Sequence, residues 1–337
     1  MSQTYKIVIP MAGLGSRMRP HTWVRPKPLL PLAGKTVLDH ALNQFSTLPD
    51  LEQAEFVFII SPNQGDLIQK HMQEKYPGKK VHFVLQPEMR GQSHALWLAR
   101  EHFNAPVIMA FSDTLIETDL SFLEHETADV IAWVKPMEDP RRFGVIELDD
   151  QGWATRLIEK PTDITNNQVL VGFYYFRNGQ SLIEAIEEQM RLDKSLKGEF
   201  FLADAINIML EKGAKIRRHH VDIWLDAGIP EALLETNRYL LEHNRGGGIL
   251  PSPKEGVTFI PPVYVASDVQ LDSAVIGPYV SIAKGCSLSR VVVQNSILDE
   301  HSSIEDMVIE GSLIGRNVTL RGKPEQLNVG DNSQMKC

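Results

Sequence analysis

Cysteine is nearly absent from the 337-residue sequence, which holds only Cys286 and Cys337. Two thiols cannot build a disulfide framework, and without CxxC or Cys/His spacing they offer no zinc site, so a reducing cytoplasm is the expected setting. Long apolar runs are missing too. The stretch 7–14 is too short and too interrupted to span a membrane, and it lacks the small-residue cleavage pattern of a signal peptide. Positive charge is in deficit, with 34 Lys and Arg against 43 Asp and Glu and a net charge of −9. Neither nucleic acid nor an anionic membrane is an expected partner of such a chain, and its cations are informative only where they gather. At 43% hydrophobic and 23% charged, the composition is otherwise that of a globular protein with core enough for two domains.

The cations gather in IPMAGLGSRMRPHTWVRPKPLLPL, residues 9–32, where Arg17, Arg19, Arg25 and Lys27 stand among Gly13, Gly15 and the prolines at 20, 26, 28 and 31. An apolar strand at 6–10 precedes this stretch, and Val37, Leu38, Ala41, Leu42 and Phe45 follow it at helical spacing. The unit therefore reads as strand, loop, helix. Glycines at 13 and 15 let backbone N–H groups close around phosphate oxygens, where larger side chains would obstruct them. Arg17 and Lys27 add the charge that a triphosphate needs. A dinucleotide fingerprint fails here, because Met18 occupies the third glycine position and the prolines prevent the helix that should follow.

Strand-like segments at 55–61, 80–86 and 106–113 alternate with helical ones at 64–75 and 91–103. Such alternation predicts a parallel sheet covered on both faces, with ligands at the carboxyl ends of its strands. A strand-rich region follows over 128–176, then helices at 179–191 and 201–212, a strand at 215–223 and a helix at 229–243. Gly- and Pro-rich sequence marks a linker at 244–256, dividing a first domain, 1–243, from a second, 257–337. In the second domain Ile276, Ile282 and Leu288 recur every six residues, with Val280 and Cys286 between them. Ile304, Val308, Ile309, Ile314, Val318 and Leu320 continue a looser version. The hexad is the pattern of a parallel β-helix, one apolar residue filling each short face; an antiparallel β domain is the alternative.

The segment AGLGSRMRPHTWVRPKPLLPL resembles the signature of the sugar-phosphate nucleotidyltransferases, a Gly-x-Gly-(Ser/Thr)-Arg run followed by a Pro-Lys-Pro cluster. The resemblance extends over the whole chain. It implies an α/β fold, a Rossmann-like core with a mixed, mostly parallel sheet, followed by a left-handed parallel β-helix of hexapeptide repeats. It also implies transfer of a nucleotidyl group from a nucleoside triphosphate to a sugar-1-phosphate, with Mg²⁺ as cofactor. Ala12, Gly13, Gly15, Ser16 and Arg17 match the phosphate loop. Gln86 and Gly91, in QPEMRGQSHA, match the base-recognition segment of members that bind uracil or thymine. Asp113, in FSDT, and Asp226, in WLDAG, match the two metal aspartates. Gly144, Glu159, Lys160 and Gly172 match the segments that hold the sugar phosphate. One departure stands beside these matches: Ser112 precedes Asp113 where the family usually has glycine.

The implied chemistry calls for such groups, because both reactants are anionic and their repulsion is the main barrier. Arg17 would face the departing β- and γ-phosphates and Lys27 the α-phosphate, with Asp113 and Asp226 sharing the metal. Each assignment has a plainer alternative. Asp113 and Asp226 also suit turns, Glu159 and Lys160 a solvated strand end, and RRHHVD at 217–222 a solvated strand face. Arg19 and Arg25 are expected to be peripheral. Two other functions compete with transfer: a silent sensor of nucleotide or sugar phosphate, and an acyltransferase on the β-helix based on His301. For the base, the expectation is dTTP or UTP. For the sugar it is glucose-1-phosphate, then N-acetylglucosamine-1-phosphate. A short β-helix leaves ends and faces without partners, so homo-oligomerisation through it is expected.

Overall fold

The computed structural model describes residues 4–62, 65–246 and 255–323. These form two compact units, 4–30 with 36–232 and 31–35 with 233–323. Most of the expected linker and the last fourteen residues, Cys337 included, lie outside the described residues. Among those described, no helix is long and apolar enough to cross a membrane.

In the first unit Lys6–Pro10 is an inner strand of a nine-stranded sheet. It runs parallel to Glu55–Ile60 on one side and to Val107–Ala110 on the other, and Lys80–Leu85 extends the parallel run. Because successive crossovers leave this strand in opposite directions, its carboxyl end is a switch point where a crevice opens. The Gly-rich loop starts there. The strands expected within 128–176 are Val130–Pro136, Gly144–Leu148, Ala154–Glu159 and Gln168–Phe176. The last runs antiparallel to Val107–Ala110, which makes the sheet mixed.

Alternation along the strands supplies both covers. Ile7 and Ile9 bury against Leu38, Phe45 and Phe58 on one side, while Val8 buries against Leu96, Phe103, Leu182 and Ile206 on the other. Each such side chain contributes about 1.5–3 kcal/mol through removal from water. The helix Val37–Asn43 begins at a reciprocal cap, in which Thr36 N–H donates to Asp39 Oδ2 (2.8 Å) and Asp39 N–H donates to Thr36 Oγ1 (3.2 Å). The helix expected over 91–103 divides into Gln92–Leu98 and a 3-10 turn, Arg100–His102. The strand Ile216–His220 corrects the reading of RRHHVD as solvated throughout. Arg218 and His220 are exposed, but Arg217 pairs with Glu126 and His219 stacks on Phe122 at 4.8 Å.

The second unit is a parallel β-helix joined by the segment Pro31–Lys35 and by most of the helix Pro230–Glu242. Three ladders line its interior: Leu271, Leu288, Ile304 and Leu320; Ile276, Val293 and Ile309; Ile282, Leu298 and Ile314. Ile276, Ile282 and Leu288 therefore occupy three successive faces, as the hexad requires, and each is at most 1% exposed. Between faces stand residues with left-handed backbone, stacked in columns: Ser273, Arg290 and Asp306; Tyr279, Asn295 and Gly311; Gly285, His301 and Asn317. The pairing of Leu271 with Leu288, and of Leu288 with Ile304, sets rungs of 17 and 16 residues. Some faces are thus five residues apart and others six, which is why the hexad loosens after Leu288. Val308, counted in the apolar pattern, points outward and is 76% exposed. His301 belongs to a corner, its ring so close over Gly285 that a Cβ there would lie 2.2 Å from Nδ1.

Buried polar groups in this unit are bonded. Asn237 Oδ1 accepts from Ala33 N–H (3.0 Å) and from Ser281 Oγ–H (2.7 Å), holding the helix, the 31–35 segment and the β-helix together. The ladders yield a direct test. Leu288→Ala should cost about 2–5 kcal/mol and lower the thermal midpoint, whereas Gln270→Ala, exposed on the neighbouring strand Gln270–Ile276, should change stability by less than about 0.5 kcal/mol. Thermal and denaturant melts that show equal losses would refute the inward assignment of Leu288.

Candidate active site

The Gly-rich loop leaves the strand Lys6–Pro10 with Ala12 buried and Gly13 exposed, with open space where a Cβ would stand. Gly15 is left-handed, at φ 60°, and its carbonyl accepts from Met18 N–H (2.9 Å) and Thr22 Oγ–H (2.8 Å). A Cβ on Gly15 would lie 3.1 Å from Thr22 and 3.4 Å from Lys27. The loop therefore folds back so that Lys27 comes beside the glycine turn, through two 3-10 turns, Ser16–Met18 and Lys27–Leu29. Ser16, Arg17 and Arg19 are exposed; Arg25, expected at the periphery, is buried.

Asp113 and Asp226, far apart in sequence, meet because Thr114–Ile116 and Trp224–Asp226 pair antiparallel, with Thr114 opposite Asp226. Ala227 N–H then donates to the Asp113 carbonyl (3.1 Å), and Gly228 N–H to Asp226 Oδ1 (2.7 Å). Gly228 is where the charges converge. A Cβ there would lie 2.8 Å from Asp226 Oδ1, 3.4 Å from Asp113 Oδ2 and 3.5 Å from Arg17 Nη2. Lys27 Nζ donates to Asp113 Oδ2, so Lys27 and Arg17 both approach the two carboxylates.

Electrostatics set the two acids apart. Burial pushes Asp113 up, but the Lys27 ammonium and then the Arg17 guanidinium outweigh it and hold the carboxyl below the usual range. Asp226 goes the other way: burial of its inner side and the nearby Asp113 charge raise it, against the Gly228 N–H and the same two cations, although its side chain reaches solvent. Two carboxylates thus face one small space, where they could hold a cation. Among the described residues no group of three or more acidic, His or Cys side chains forms a metal cluster, so protein oxygens would supply only part of a coordination shell.

The remaining expected residues lie in other segments of the same unit. Gln86 is buried, its N–H donating to the Ile60 carbonyl (2.9 Å). Gly91 has φ 97°, and a Cβ there would lie 2.4 Å from the backbone N of Phe200. Phe200 N–H donates to the Arg90 carbonyl, and Ser93 N–H to the Phe200 carbonyl, both at 3.0 Å. Close backbone approach alone accounts for glycine at 91. Gly172, at φ 80°, presses likewise on the Phe111 ring, and Phe111 N–H donates to its carbonyl (3.0 Å). Gly144 faces Glu159 across a ladder, where a Cβ would lie 3.3 Å from Oε2. Burial raises the Glu159 carboxyl above its usual range, opposed by Lys160 and reinforced by Asp204. Lys160 itself is left-handed, at φ 50°.

Two residues of this region escaped the sequence reading: Gly228, two residues after Asp226, and Phe200, which looks like the apolar approach to a helix. Gly228 supplies the test of the site. Gly228→Ala should lower kcat at least ~10-fold with little change in thermal midpoint, because the added methyl meets only the ends of three side chains and displaces charges, not core. Unchanged turnover would mean that the space at Gly228 is not used.

Comparison with known proteins identifies the family. Residues 6–243 match the family model described as Nucleotidyl transferase. The low-salt glycan biosynthesis nucleotidyltransferase Agl11 of Haloferax volcanii is 30% identical over 98% of this chain and 99% of its own. A UTP--glucose-1-phosphate uridylyltransferase, AglF, of the same organism is 30% identical over 70% of this chain and 96% of its own. A glucose-1-phosphate thymidylyltransferase of Streptomyces griseus is 26% identical over 98% of each chain. With a glycine-turn loop, its lysine and two strand-end aspartates meeting where that family model aligns, the chain belongs to the nucleotidyl transferase family.

Proposed function

We propose that this protein joins a nucleoside triphosphate to a sugar-1-phosphate, releasing pyrophosphate, with dTTP or UTP and glucose-1-phosphate as the preferred pair. The observation that carries this reading is the convergence of Arg17, Lys27, Asp113 and Asp226 around Gly228. A sugar-phosphate oxygen attacks the α-phosphorus in line while the bond to the β-phosphate oxygen breaks. No side-chain nucleophile is required. The task is to hold two anions together and accept charge on the leaving group. Lys27 sits between the glycine turn and Asp113, suited to the α-phosphate; Arg17, exposed beside it, suits the β- and γ-phosphates.

The donor set fits Mg²⁺, a hard cation that takes one or two carboxylates and completes its shell with water and phosphate oxygens. Asp113 and Asp226 would hold it, and when bound it would neutralise phosphate charge and favour departure of pyrophosphate. Gln86 and the Gly91 turn would face the base, and Gly144, Glu159, Lys160 and Gly172 the sugar phosphate. The relatives named as uridylyl- and thymidylyltransferases support a pyrimidine base and glucose-1-phosphate. A silent sensor would leave the joint presence of all four charged residues unexplained, and the corner position of His301 over Gly285 disfavours an acyl-transfer base there.

Initial rates of pyrophosphate release over a grid of nucleoside triphosphates and sugar-1-phosphates test the reading. The highest kcat/KM is expected for dTTP or UTP with glucose-1-phosphate in Mg²⁺. Asp113→Asn and Asp226→Asn should each lower kcat at least ~100-fold. Turnover of no pair, or near-normal rates in both variants, would overturn it.

We further propose self-association through the β-helix. Val275, Val292 and Val308 form an outward ladder on one face, with Val292 40% and Val308 76% exposed. Stacked β-branched side chains on an open sheet face favour burial against a second copy. Sedimentation equilibrium should show an oligomer that dissociates in Val292→Glu/Val308→Glu. A monomeric parent, or an oligomer unaffected by both charges, would remove the proposal.

A further inference from the structure

Lys160 is held at two ends. Its backbone is left-handed, φ 50°, and its N–H donates to the Phe143 carbonyl (2.9 Å), which fixes where the side chain starts. Its Nζ lies 4.9 Å from the centroid of the Phe201 ring, over the ring face. Among the described residues the carboxylate paired with this ammonium is Glu159, 3.9 Å from it, and the Lys160 side chain is 53% exposed. An ion pair so long and so wet does little to position a lysine.

Phe201 is unusually well fixed for a residue in a connecting segment. It is 7% exposed, and its carbonyl accepts from the fully buried Gln189 Nε2–H (2.9 Å). The residues on either side are tied to the segment that carries Gly91: Phe200 bonds Arg90 and Ser93, and Leu202 N–H donates to Gln92 Oε1 (3.2 Å). Phe201 is buried directly before the helix Leu202–Glu211, whose first residues, Leu202 and Ala203, belong to one apolar layer of the sheet, so its ring is held firmly beneath the Lys160 ammonium.

Resting on the sugar-phosphate reading of Lys160, we infer that Phe201 is a positioning residue that holds the Lys160 ammonium by its ring face, ready for the phosphate of the sugar. The physical advantage lies in what a ring does not do. A carboxylate close enough to fix the ammonium would occupy its N–H donors and cancel part of its charge. An aromatic face attracts the cation through its quadrupole and leaves donors and charge available to an incoming anion. The lysine thus loses rotamer freedom before the substrate arrives, and retains its full attraction for it. The same ring, bonded through its neighbours to the Gly91 turn, gives the base side and the sugar side of the site one common support.

The test replaces Phe201 in the full chain with phenylalanines carrying one to four ring fluorines, which change the quadrupole progressively while nearly preserving shape. The expected result is a stepwise rise in KM for glucose-1-phosphate, reaching about 5-fold, with kcat and the KM for the triphosphate within about 2-fold of the parent. Phe201→Leu should match the most fluorinated variant, and Phe201→Trp should restore the parental KM. A KM for glucose-1-phosphate that is flat across the fluorinated series overturns the inference, because a packing role follows shape and not ring charge. Lys160→Met separates this failure from that of the underlying reading. If Lys160→Met also leaves this KM unchanged, Lys160 does not meet the sugar phosphate; if it raises KM while the fluorinated series stays flat, only the role of Phe201 is lost.

Discussion

Everything in the first unit is arranged around a problem of like charge: two carboxylates and two cations must share the space beside one α-carbon. Gly228 leaves that space open, with Asp226, Asp113 and Arg17 each within 3.5 Å of where a methyl would stand. The antiparallel pairing of Thr114–Ile116 with Trp224–Asp226 brings the acids together, and the switch point at the end of Lys6–Pro10 brings the loop to them. Lys27 on Asp113 keeps the unliganded assembly close to balance. Without those cations, two acids so near each other would not both ionise at ordinary cost.

The division of labour between the acids follows from their surroundings. Asp113 is stabilised as a carboxylate by direct cationic contact, while Asp226 is destabilised by burial and by Asp113. A phosphate arriving on Lys27 would draw the ammonium away from Asp113 and leave both acids seeking a cation.

The sequence made the central strand, the loop and the apolar hexad legible, because each rests on local rules; the two aspartates came only from their resemblance to the family's motifs. Apolar alternation marks strands, glycines and prolines rule out helix, and Ile276, Ile282 and Leu288 sample three faces within one rung. What stayed hidden depends on distant chain. Nothing local says that Gly91 must admit the Phe200 backbone, or that Phe201 lies beneath Lys160, since each contact joins segments dozens of residues apart. RRHHVD misled for a related reason. Its charge suggested water, but an edge strand turns alternate residues inward, and His219 found Phe122 and Trp133 there. Val308 misled in the opposite sense, because an apolar residue in a strand has an even choice of face until the register is known.

The columns of left-handed residues have an evolutionary consequence. Ser273, Arg290 and Asp306 repeat one corner, as do Tyr279, Asn295 and Gly311, so each rung ends where the next begins, with the same three bends in the same order. Insertion or loss of one whole rung leaves every interior ladder in register, whereas a single residue gained within a face turns its apolar side chains outward. Length can therefore change in large steps more easily than in small ones. Whole rungs are the natural unit in which the second unit can lengthen or shorten, since each carries its own three corners and its own place in every ladder.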